Sequence, residues 1–106
     1  MIRARVLLLT VMTTTLLGTV WAQNRPDALQ LYRQGRYEEA VQVTLAELDE
    51  TPRNMNSYTV LGWSLLALGR YEDALDYGTR ALEISRYDSR LIQIVSEAHF
   101  RLGNNL

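Results

Sequence analysis

The 106-residue chain contains no cysteine, no lysine and a single histidine, His99. Without cysteine there is no disulfide to brace an exported domain, no lipid attachment through a thiol and no cysteine nucleophile. One histidine leaves the common zinc ligand sets short of partners, so no metal or other cofactor is expected. Positive charge rests on arginine alone, eleven residues against twelve acidic ones, for a net charge of −1. That balance lacks the basic face that nucleic-acid phosphates demand. Strand-like alternation of apolar and polar residues is missing too, and no glycine-rich phosphate loop is present, because the glycines punctuate helical segments.

The N-terminus has a character of its own. Arg3 and Arg5 precede an acid-free run from Val6 to Val20, followed by Trp21 and Ala22. The pattern reads as a cleavable signal peptide over residues 1–22: a charged start, an apolar centre, and Val20 with Ala22 at the cleavage positions. Cleavage before Gln23 leaves nine arginines against twelve acids, a net −3. It implies export, to a bacterial periplasm or cell envelope, with no membrane insertion afterwards. Two alternatives stay open. An uncleaved anchor needs about 20 apolar residues, and this run is shorter and diluted by Thr13, Thr14 and Thr15; a mitochondrial-type transit peptide is the other.

Beyond this segment the chain repeats itself. The heptapeptide GRYEEAV at 35–41 returns as GRYEDAL at 69–75, 34 positions later. A period of that length signals a stack of helix-turn-helix units. Counting the second copy from Met55, large residues Tyr58, Leu61 and Leu65 surround small Gly62, which with Ala74 of the following helix is expected to let the paired backbones approach closely, and Ala81 adds a second small contact. Ala28, Leu31, Gly35, Tyr37, Ala40 and Pro52 hold matching places in the copy before, and Ile92, Val95, Ser96, His99 and Gly103 in the copy after. On these residues the chain resembles the tetratricopeptide-repeat family over roughly 25–105. The resemblance implies an all-α fold of antiparallel helix-turn-helix repeats in a right-handed superhelix, with a domain over 23–106 made of repeats at about 24–54 and 55–88 and a partial repeat at 89–106. Three positions depart from the pattern. Thr44 and Gly78 stand where an aromatic is usual, which weakens the expected packing between repeats, and Arg86 stands where Pro52 closes the earlier copy. In a helix interior Gly78 costs roughly 1 kcal/mol against alanine.

Helix punctuation agrees with the repeat. Asn24 is a candidate cap for a first helix opened by Pro26 and Asp27 and ended by Gly35. Tyr37 to about Asp49 follows, with Ala40, Val41, Thr44, Leu45 and Leu48 on one stripe. Asn54 or Asn56 caps a third helix ending before Gly69, a fourth runs from about Tyr71 to Ile84, and Asp88 or Ser89 caps a fifth through Leu102. Asp76 and Arg80 form a favourable pair one turn apart.

The inventory for catalysis is poor. His99 falls where the family packs a large residue, so a packed histidine is expected in place of a functional one. Glu38 with Glu39, and Asp49 with Glu50, read as solvated surface carboxylates. No enzyme activity is expected. The resemblance instead implies a protein-binding groove lined by the first helix of each repeat. Its positions here are Leu29, Tyr32 and Arg33; Asn56, Thr59, Trp63 and Leu66; and Arg90, Gln93, Glu97, Phe100 and Arg101. The aromatics and arginines among them are the natural anchors, although Trp63 and Phe100 can equally serve as packing between helices. A clamp for a partner's C-terminal carboxylate, known in the family, is not expected, because Leu29 and Thr59 occupy places that need polar or basic groups.

The last helix poses a separate question. Leu91, Ile92, Ile94, Val95, Ala98, Phe100 and Leu102 cover more than one face, as in a helix with neighbours on both sides. Three repeats are normally wanted and the end one is normally polar outside. Either another molecule completes the helix, a homo-oligomer through 89–102 included, or the chain is part of a longer array.

Overall fold

The computed structural model describes residues 25–103. Five helices follow one another: α1 Ala28–Arg33, α2 Tyr37–Glu50, α3 Met55–Ala67, α4 Tyr71–Ile84 and α5 Ser89–Arg101. No strand occurs among the described residues. Consecutive helices pack on each other, and α3 also contacts α1 and α5, so the first helix of each repeat forms one layer. The expected all-α repeat architecture is what the chain adopts.

Two kinds of turn alternate. Within a repeat the first helix ends on a glycine in the left-handed region, Gly35 at φ 76° and Gly69 at φ 74°. Their backbones close the turn with Arg36 N donating to Leu31 O and Arg70 N to Leu65 O, both at 2.9 Å. A side chain would be strained at these angles, which explains the glycine in each GRY. Between repeats, Thr51 (φ −133°, ψ 82°) and Ser85 (φ −132°, ψ 87°) end α2 and α4 in nearly the same conformation. Pro52 follows one and Arg86 the other, so this turn does not depend on proline.

The caps select among the sequence alternatives. Asp27 caps α1 by accepting from Leu29 N, and so lies outside the first turn in which it was expected. Asn24 lies outside the described residues, as do the segment 1–22 and its cleavage site. Asn54 caps α3 and Asp88 caps α5. The Asp76–Arg80 pair forms at 2.9 Å.

The core also corrects three expectations. On α2 the buried set includes Val43, whereas Leu45 is 37% exposed, because one residue of rotation carries it off the stripe. Gly62 was expected to ease the approach within its own repeat; a Cβ there would meet Ile94 Cδ1 at 2.8 Å and Cγ2 at 2.9 Å, so its space is filled by the next repeat. Gly78 is likewise part of the packing and not a defect in it, since a Cβ would lie 2.7 Å from Val95 Cγ2. The room an aromatic would have taken is occupied by Val95. Thr44 is fully buried and returns its hydroxyl to Ala40 O and Val41 O at 2.8 and 2.9 Å, leaving no polar group unpaired.

Candidate protein-binding groove

Helices α1, α3 and α5 line two adjoining clefts that share Trp63. The first, about 400 Å³, is bounded by Asp27 and Leu29, by Asn54, Asn56, Thr59 and Trp63, by Glu47 from α2, and by Arg90. The second, about 260 Å³, is bounded by Tyr32, Trp63, Leu66, Glu97 and Arg101, with Tyr71 from the start of α4. Trp63 is half-buried and touches both core clusters, so its ring is held by packing while one side remains open. Tyr32 stacks obliquely on it at 5.7 Å between ring centroids and meets Tyr37 at 5.5 Å. Aromatic pairs at such distances are favourable beyond their buried area, which fixes these rings before any partner arrives.

The cations of the groove are oriented by neighbours. Arg90 reaches Asp88 through Nε and NH2 at 3.2 and 3.0 Å, while its NH1 donates to Asn56 Oδ1 at 3.1 Å. Asn56 and Arg90 are one repeat apart, so this bond ties equivalent positions of α3 and α5 together. The Arg90 guanidinium, with the backbone N–H groups of Arg90 and Leu91, holds the Asp88 carboxyl below its ordinary range against the opposing effect of burial. Arg101 pairs with Glu97 at 2.8 Å, and its own pKa is raised chiefly by that hydrogen bond. Arg33 is exposed and has no ion pair among the described residues.

Of the twelve groove positions expected from sequence, Leu29, Tyr32, Asn56, Thr59, Trp63, Leu66, Arg90, Glu97 and Arg101 line the two clefts. Thr59 departs from the expectation in one respect: it is 1% exposed and donates to Met55 O, so it offers a wall and no free polar group. Arg33, Gln93 and Phe100 lie outside both clefts on exposed surface, Phe100 at 68%. Phe100 therefore does not pack between helices, whereas Trp63 both packs and lines the groove. Tyr71, Asp27, Asn54 and Glu47 line the clefts without having been expected there, and Tyr37 touches the site only through Tyr32. For the two tyrosines the signal was present in the repeated GRY, whose tyrosine opens each second helix beside the groove.

The other candidates for chemistry resolve into surface pairs and packing. Glu39 pairs with Arg36, Glu50 with Arg25 and Glu38 with Arg70. His99 is half-buried, its Nδ1 enclosed without a hydrogen-bond partner among the described residues. Among the described residues no cluster of three or more histidine and acidic side chains is placed to hold a metal.

No curated protein matches the chain. A family model described as tetratricopeptide repeat matches residues 21–89. That match spans both glycine-turned helix pairs whose first helices carry Tyr32 and Trp63, and the chain belongs to the tetratricopeptide-repeat family.

Proposed function

We propose that the chain is an exported, non-catalytic interaction module that holds a peptide segment or helix of a protein partner against the face of α1, α3 and α5. Tetratricopeptide repeats generally mediate protein–protein interaction and are typically not enzymes. One observation carries the reading to this face. Trp63 is immobilised by both core clusters yet open to both clefts, with Tyr32 on one side and the tethered Arg90 and Arg101 at the ends. Rigid aromatic and arginine side chains in a concave site are the usual anchors of protein interfaces, because little entropy is lost when they engage.

A pull-down from envelope extract with the full chain and with a Tyr32→Ala, Trp63→Ala variant tests it. Loss of two anchors lowers partner affinity roughly 30-fold or more, so the variant should recover little. Equal recovery by a variant that keeps its helical circular dichroism removes this face from consideration.

Export rests on Arg3, Arg5 and the run from Val6 to Val20. Among the described residues no helix is long and apolar enough to cross a membrane. Mass determination of the protein recovered from cells checks the proposal: a mature chain beginning at Gln23 supports it, and an intact residue 1 in the cytoplasmic fraction opposes it.

A further inference from the structure

The hydrogen-bonding capacity left over in the first cleft is divided between its sides. On the α3 side, Asn54 Oδ1 accepts from Ser57 N at 3.2 Å and Asn56 Oδ1 accepts from Arg90 NH1 at 3.1 Å. Both partners can only donate, so each amide is oriented through its oxygen and keeps its N–H donors for the cleft it lines. The side of α1 and α2 keeps acceptors. Asp27 Oδ1 takes the Leu29 N–H and Glu47 Oε1 the Ser57 hydroxyl, which leaves each carboxylate a second oxygen. Charge follows the same division. Arg90 is matched by Asp88 and Arg101 by Glu97, whereas Asp27 and Glu47 form no ion pair among the described residues. Glu47 acts on Arg25 only electrostatically, and Arg25 is paired with Glu50. Trp63, open to this cleft, adds an aromatic face.

We propose that this cleft takes an extended segment of the partner, whose main-chain carbonyls accept from Asn54 and Asn56 and whose arginine or lysine side chain lies on Trp63 beside Asp27 and Glu47. Given the groove as the binding face, on which this rests, the cleft selects an extended chain over a helix. A helix has its carbonyls bonded internally, so one laid across Asn54 and Asn56 strips water from their donors and returns no acceptor from its main chain. An extended chain carries an unpaired carbonyl at every residue. The sign of the ligand's charge follows from the surplus of acid. An acidic segment meets Asp27 and Glu47 with no unmatched cation lining the cleft, whereas a basic side chain pairs with them and gains from the Trp63 face. Arg90 serves the site by fixing the Asn56 amide, its own charge being taken up by Asp88.

The probe is a display library of random short peptides selected on the immobilised full chain. Clones that the Tyr32→Ala, Trp63→Ala variant fails to hold are then made as fluorescent peptides and titrated by anisotropy. These groove-dependent clones should be rich in arginine or lysine. Asp27→Asn combined with Glu47→Gln should weaken the tightest of them about tenfold. Asparagine still caps α1 and glutamine still accepts from Ser57, so the fold is kept, as circular dichroism checks. Glutamine in place of the peptide's basic residue should cost the wild-type chain about the same factor and the doubly substituted chain almost nothing. Asn56→Ala should weaken binding about threefold. A link between peptide residues one helical turn apart, which forces a helix, should weaken it about tenfold or more. Groove-dependent clones without a basic residue, a basic clone indifferent to the Asp27 and Glu47 substitutions, or a helix-locked peptide that binds equally well each overturn the proposal and leave the groove standing. A selection with no groove-dependent clone removes the groove and the proposal together.

Discussion

Asp88 serves at once as the N-cap of α5 and as the carboxylate that orients Arg90. Its folded pKa is depressed, with the Arg90 hydrogen bond as the largest cause. A depressed carboxyl contributes stability that is present above its unfolded pKa and lost as pH falls through the folded value. Replacing Asp88 with alanine should therefore cost about 1 kcal/mol at neutral pH. The gap between wild type and variant in urea midpoints should close on acidification, and a gap that persists in strong acid contradicts the assignment. Gly62 and Gly78 make a second residue-scale test, because each adds about 1 kcal/mol of helix propensity on mutation to alanine but meets a neighbour. At Gly62 the neighbour is Ile94, buried and contacted by two methyl carbons, so overpacking of about 1–3 kcal/mol outweighs the gain. At Gly78 the neighbour is half-buried Val95, which has room to shift, and Gly78→Ala should be close to neutral. Thermal denaturation of the two variants side by side decides it.

Among the elements, α1 and α3 stand at opposite ends of stability. Among the described residues, six-residue α1 packs on α2 and α3 alone, whereas α3 contacts every other helix. Amide exchange should be fastest in α1 and slowest in α3, since local opening follows the number of contacts broken. Leu65→Ala, at a site 1% exposed in the centre of α3, should cost about 2–5 kcal/mol in chemical denaturation. Helix order, caps and turns were legible because they depend on local residues: Asn54, Asp88 and the glycines of GRY announce them within one turn of chain. Much of the cleft lining was legible through the resemblance to the family, carried along the 34-residue period, as with Trp63 and Arg90. What escaped the sequence depends on neighbours far along the chain. The filling of the Gly78 space by Val95 and the retreat of Thr59 into its own helix follow from how two repeats nest, which no single helix pattern encodes. The placement of Tyr71 at the groove required knowing that α4 begins where the first-helix layer ends.

At the scale of the molecule, stability is a sum of repeats and the contacts between them. A chain with residues 55–88 duplicated after Asp88 should then unfold at a higher urea midpoint and with a steeper denaturant dependence, because more surface is buried per molecule. An unchanged midpoint indicates that the added unit fails to dock. The two inter-repeat turns bear on this directly: Thr51 and Ser85 share their backbone angles, and only one is followed by proline. Joining one unit to the next thus demands no proline, only the same turn conformation made again. A copying error of 34 codons in register would yield a chain whose every junction already has a working precedent, so array length can change in evolution without passing through a misfolded intermediate.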